Sequence, residues 1–171
     1  MVFVYALLPN LNLQPAFKMY TELRQLTLAV IAGYIRPGRD GKDPEWDPNP
    51  EFQRDLVWTT TMKRDLMDSA SRGYPFGQIM IVEIDGKKMI LDGKQRTNAL
   101  VSFMEGSFTD GQNKHWSDWS AEEKALYRNI QISVQYIRME DGENMSDVVE
   151  LFRRVNTHGK KLSPGQLVGS C

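Results

Sequence analysis

Residues 79–106 constrain the fold of this chain more tightly than any other stretch. The apolar run 79–84 reads as a strand, and Asp85-Gly86 behind it is a strong two-residue hairpin signal. The hairpin returns along residues 88–91, a short buried strand bounded by a second turn signal, Asp92-Gly93. Ala99, Leu100, Phe103 and Met104 then recur at helical spacing until Gly106 supplies a stop. Asp92 stands where a helix cap belongs, with Gln95 three residues on, close to a capping box. A polar cluster of Asp92, Lys94, Gln95 and Arg96 therefore lies where a strand passes into a helix. Free backbone N–H groups and the positive dipole end favour an anion at such a junction. A capped helix with solvated charges accounts for the same spacing.

Around this unit the chain reads as one domain over residues 21–171, preceded by an arm or strand at 1–20. Thr21 is placed to cap a helix carrying Leu23, Leu26, Val30 and Tyr34 on one face, ending at Pro37-Gly38. Residues 36–50 hold four prolines and read as a polar surface loop. Thr59 to Thr61 offer caps for a helix with an apolar stripe at Met62, Leu66, Met67 and Ala70, closing at Gly73. A tryptophan-bearing loop spans 107–119, and Ser120 with Glu123 forms a capping box for the next helix. Ile130, Ile132, Val134 and Tyr136 alternate with polar residues, which predicts a strand buried on one face only. Ser146 is read as the cap of a helix with Val148, Leu151, Phe152 and Val155 on its core face, breaking at Asn156-Thr157-His158-Gly159. Ser163-Pro164 announces one more helix, cut short seven residues later.

A formal net charge of −1 and a pI of about 6.1 exclude a global basic field, though not a local basic groove. The single cysteine, Cys171, excludes an internal disulfide or a cysteine-built zinc site and suits a reducing cytoplasm. The longest internal apolar run, 26–35, is far short of the ~20 residues that span a bilayer. The expected location is cytoplasmic, with no membrane partner.

Three separated stretches share a signature. They are Phe52-Gln53-Arg54-Asp55-Leu56-Val57-Trp58, Leu91-Asp92-Gly93-Lys94-Gln95-Arg96 and Leu151-Phe152-Arg153-Arg154-Val155-Asn156. In this order they resemble the motifs of the N-terminal domain of GmrSD-type modification-dependent restriction enzymes, in the ParB/sulfiredoxin-like superfamily. The resemblance covers residues 21–167. It implies an α/β (α+β) domain, a small mixed sheet with flanking helices, of ParB/sulfiredoxin-like type. It also implies a polar cleft that binds nucleoside triphosphate with Mg2+ and, in some members, cuts DNA. Carried over, Gln53 and Arg54 fall on the first motif, Asp92, Gln95 and Arg96 on the second, and Arg154 and Asn156 on the third. Lys94 stands where the family usually has glutamine, and His158 where a glycine is common. No nuclease domain with a histidine-asparagine-histidine signature accompanies these motifs. Sulfiredoxin chemistry needs a reactive cysteine in the phosphate motif, which has none.

On residue chemistry, Arg54, Arg96 and Arg154 offer planar, permanently charged forks matched to phosphate oxygens. Each could instead pair with Asp55, Asp92 or Glu150; three arginines in three motifs favour a shared anion site, joined by Lys94. Asp92 has three readings: helix cap, magnesium ligand or activator of a water, of which the cap needs no metal. Asp92, Gln95 and Arg96 form the candidate catalytic set, although Gln53, Gln95 and Asn156 can position a water or phosphate but cannot act as bases. His158 is either a general acid–base or a solvated loop residue, and His115 reads as surface. Trp58, Trp116 and Trp119 could stack on a base, but packing in the core is the simpler role. The expected function is nucleotide-dependent processing of DNA by a hydrolase or nuclease in restriction or defence. The alternative is a non-catalytic nucleotide- or DNA-binding module that inhibits or regulates a larger homologue. Nucleotide and DNA are the expected partners, with a homo-oligomer or a larger defence-system partner as further expectations.

Overall fold

The computed structural model describes residues 19–38, 41–52, 56–139 and 142–158, with backbone alone for 156–158. Among the described residues, five strands form one mixed sheet in the order β1-β5-β3-β4-β2, with five α-helices around it. The strands are β1 (Met19–Thr27), β2 (Trp46–Asp47), β3 (Ile79–Ile84), β4 (Lys87–Asp92) and β5 (Gln131–Met139). The helices are α1 (Leu28–Ile35), α2 (Thr60–Ser71), α3 (Lys94–Met104), α4 (Ala121–Arg128) and α5 (Met145–His158). The architecture is α/β, as expected. Among the described residues no helix is long and apolar enough to cross a membrane.

The β3–β4 hairpin turns at Asp85 (φ 50°) and Gly86 (φ 72°). Left-handed backbone at both positions is what a two-residue turn between twisted strands requires. Alternation along β3 then sends Ile79 and Ile81 to one side of the sheet and Val82 and Ile84 to the other. The first side packs under α1, α2, α3 and α4 through Leu28, Ile31, Leu66, Met67, Leu100 and Phe103. The second packs under α5 through Val148 and Leu151. Strand β5 serves both: Ile132 and Val134 join the first core, and Ile137 and Met139 the second. The expectation of burial on one face only is thus corrected. The buried positions change face along β5, where Ile137 and Met139 join Val148 and Leu151 of α5 in the second cluster.

Several caps follow the sequence. The Thr59 hydroxyl accepts the Met62 N–H at 3.3 Å to open α2, and Ser120 and Glu123 cap α4 reciprocally at 3.1 and 2.7 Å. Other expectations are overturned. Residues 19–27 form a strand paired antiparallel with β5, and Thr27, not Thr21, caps the helix that follows. Apolar spacing at 23, 26, 30 and 34 imitates one helix, but cross-strand pairing holds the first half extended. The arm expected at 1–20 ends inside this strand, and residues 1–18 lie outside those described. Within the loop at 36–50, Trp46 pairs parallel with β4 and is wholly buried against Tyr34 and Tyr136. The helix expected to break within Asn156-Thr157-His158-Gly159 is described as far as His158. Ser146 sits inside it: Asn144 accepts the Ser146 N–H at 2.8 Å, and Asp147 accepts the Asn144 N–H at 2.7 Å. The expected helix at Ser163-Pro164 lies outside the described residues.

The remaining tryptophans pack as the sequence suggested. Trp116 and Trp119 gather with Phe108 and Tyr127 around the buried ring of Phe103, and Trp58 lies half-buried against the same core. Asp110 pins their loop by accepting the indole N–H of Trp119 at 2.9 Å and the backbone N–H groups of Gln112 and Lys114. His115 is exposed.

Candidate functional site

Strand β4 ends at Asp92, and Gly93 (φ 97°) swings the chain into α3. Asp92 does not cap that helix. Gly93 occupies the cap position without a side-chain bond, and Asp92 reaches one turn ahead to Arg96. One terminal nitrogen of Arg96 donates both to Asp92 Oδ2 at 2.8 Å and to the main-chain carbonyl of Gln78 at 2.7 Å. Its Nε is buried with no hydrogen-bond partner, as are Trp46 Nε1 and the Thr97 hydroxyl, and such an unpaired group costs free energy. Two left-handed glycines flank the guanidinium, at ordinary contact distance from it. A Cβ on Gly77 (φ 91°) would stand 3.5 Å from Arg96 Cζ; one on Gly93 would stand 3.5 Å from Arg96 Nη2 and 3.3 Å from the Ile79 Cα. The Arg96 side chain is 25% exposed and that of Asp92 36%, so both meet solvent.

Gln95 does not complete a capping box either. Its Oε1 accepts the backbone N–H groups of Val57 at 3.2 Å and Trp58 at 3.3 Å, which docks the end of the first motif on the second. At its other end the first motif meets the third, with the rings of Phe52 and Phe152 5.3 Å apart. The third motif packs back on the second, since Leu151 shares a buried cluster with Leu91. Three stretches far apart in sequence therefore interlock.

Not every candidate joins Asp92 and Arg96. Two helical positions are about 200° of rotation, and Lys94 lines a separate cavity of about 180 Å3 with Pro48, Asn49, Leu56, Thr97 and Asn98. The Arg154 Nε donates to Glu150 at 2.7 Å, and Arg153 grips the same carboxylate. Hydrogen bonds from Arg153 and then Arg154 pull the Glu150 carboxyl down to about 2. Gln53 and Arg54, and the side chains of Asn156 and His158, lie outside what is described. Sequence reasoning passed over Gly77 and Gln78, which wall and anchor Arg96. The turn-forming run from Gly73 through Pro75 to Gly77 was the available signal.

Chemically, the junction offers a cation with an unsatisfied N–H, a carboxylate beside it and amide groups nearby. Among the described residues no group of three or more histidine, cysteine, aspartate or glutamate side chains is placed to hold a metal ion. Neither a curated protein nor a solved structure matches this chain. A family model described as the N-terminal domain of the GmrSD restriction endonuclease matches residues 40–170, which take in all three motifs. With most of its length covered and the motifs interlocked in space, the chain belongs to the family of GmrSD restriction-endonuclease N-terminal domains.

Proposed function

We propose that this domain binds a nucleoside triphosphate at the β4–α3 junction and uses it in processing DNA within a restriction system. The observation that carries the reading is the Arg96 guanidinium, a quarter exposed beside Asp92 where the second motif meets the first and the third. A phosphate oxygen is the acceptor best suited to a planar cation of this kind. Arg54, and Arg154 once released from Glu150, would carry further phosphate contacts, with Gln53 and Asn156 positioning oxygen atoms. Asp92 alone is a sparse ligand set, so Mg2+ fits here as an ion brought by the phosphates, which complete its shell. Bound in that way it would supply charge neutralisation to the phosphate oxygens. The family's description as part of a restriction endonuclease supports DNA as the second partner.

One observation favours the quieter reading of a binding module without turnover. The Asp92 carboxylate is already engaged by Arg96, so a base for activating water would have to be released first. Thermal melts with each of the four ribonucleoside triphosphates and Mg2+, paired with hydrolysis assays with and without DNA, decide the matter. A nucleotide at a hundredfold excess over its dissociation constant stabilises the fold by ~2.7 kcal/mol. Hydrolysis that DNA stimulates supports the enzyme, whereas stabilisation without hydrolysis supports the module. Melting temperatures that stay flat at millimolar nucleotide remove the nucleotide from the function.

A further inference from the structure

An open groove of about 870 Å3 runs alongside the Arg96 site. Its lining falls into two chemistries. Tyr74, Phe76 and Leu126 supply aromatic and apolar surface, while Gln78, Gln131 and Ser133 supply amides and a hydroxyl. Tyr74 is 58% exposed and Leu126 74%, so the apolar part is open to solvent rather than packed away. Gln78 joins the groove to the phosphate site: its main-chain carbonyl holds Arg96 at 2.7 Å, and its side-chain Nε2 donates to Gln135 Oε1 at 3.1 Å. Gly77, with no side chain to intervene, separates the groove from the guanidinium.

From this juxtaposition we infer that the groove takes the nucleoside part of the nucleotide whose phosphate meets Arg96. The inference rests on the nucleotide reading above and adds where base and sugar lie. Gln78, held in the groove wall by one N–H given to Gln135, keeps its amide oxygen and a second N–H. A donor beside an acceptor is the pattern that a nucleobase edge answers. An exposed tyrosine ring supplies a face on which any base can stack. The volume lies within the range of small-molecule sites, and the absence of charged side chains among the groove residues named suits a neutral base rather than a second phosphate.

The test titrates the full chain, with Mg2+ throughout, by calorimetry against inorganic tripolyphosphate and against each of the four ribonucleoside triphosphates. At least one nucleotide should bind roughly tenfold or more tightly than tripolyphosphate. Tyr74→Ala, at an exposed position that does not endanger the fold, should remove about tenfold of that advantage, the scale of one base–aromatic stack, and leave tripolyphosphate binding unchanged. Gln135→Leu should alter the ranking of the four bases. Equal binding of tripolyphosphate and all four nucleotides overturns the groove while leaving the phosphate site standing. An advantage for nucleotides that survives Tyr74→Ala and Gln135→Leu together also overturns it. If neither class of ligand binds, the groove and the nucleotide reading fall at once.

Discussion

Asp92 and Arg96 are four residues apart on one turn, yet their partnership changes what each can do. Sequence logic made Asp92 a helix cap, for which asparagine is a near equal. In the structure its oxygen accepts from Arg96, and asparagine would keep an acceptor there but lose the charge. Asp92→Asn should therefore cost on the order of 1 kcal/mol, discounted from a buried pair because both groups meet solvent. In an enzyme that uses the carboxylate, turnover should drop by roughly a hundredfold or more. In a binding module, nucleotide affinity should hold or tighten, since a negative charge beside the phosphate is gone. Melting, affinity and hydrolysis measured in one buffer separate these outcomes. Hydrolysis unchanged in the variant would show that Asp92 takes no part in the chemistry.

Asp110 gathers three donors within the loop between α3 and α4. Burial alone would raise the Asp110 carboxyl, but the Lys114 N–H, the Trp119 indole and the Gln112 N–H outweigh it and hold it below its ordinary value. A depressed folded pKa means stability that is fully present above the unfolded value and lost as pH falls through the folded one. Asp110→Ala strands three donors and should cost about 1–3 kcal/mol near neutral pH. The gap between wild type and variant should then narrow as pH drops below ~4. Urea unfolding at pH 7 and pH 3, followed by tryptophan fluorescence, reads the gap directly. A gap of constant size would mean that Asp110 anchors the loop without its charge.

At the scale of the molecule, the sheet is cored on both sides, and two tyrosines tie its larger core to pH. Burial pushes Tyr136 up to about 12 and Tyr127 higher still, and the Tyr127 hydroxyl donates to the Leu100 carbonyl at 3.2 Å. Above pH ~10 the unfolded chain gives up phenolic protons that the folded chain keeps. Stability is thus whole below that value and falls as pH climbs toward the folded ones. Denaturant unfolding between pH 8 and pH 11.5 should show a steady decline, and Tyr127→Phe should make the decline shallower. An equal slope in wild type and variant would place the alkaline sensitivity elsewhere.

Local chemistry was legible in the sequence wherever neighbours along the chain decide the outcome. The Asp85-Gly86 hairpin, the Thr59 and Ser120 caps, the stop at Gly106 and the strand–helix junction at Asp92-Gly93 all stand where the residues placed them. The three motifs likewise identified the family that the comparison established. Tertiary structure decided everything that depends on a distant partner. Residues 19–27 became a strand because β5, more than a hundred residues away, offers a ladder that a helix-like spacing cannot refuse. Trp46 left its proline-rich loop for the core because β4 and two tyrosine rings receive it. Arg96 acquired its second acceptor, and the groove its amides, only when the β3 approach and β5 came together. Periodicity and caps report on backbone geometry within a turn or two. Which charge meets which carbonyl is set by the packing of the whole sheet.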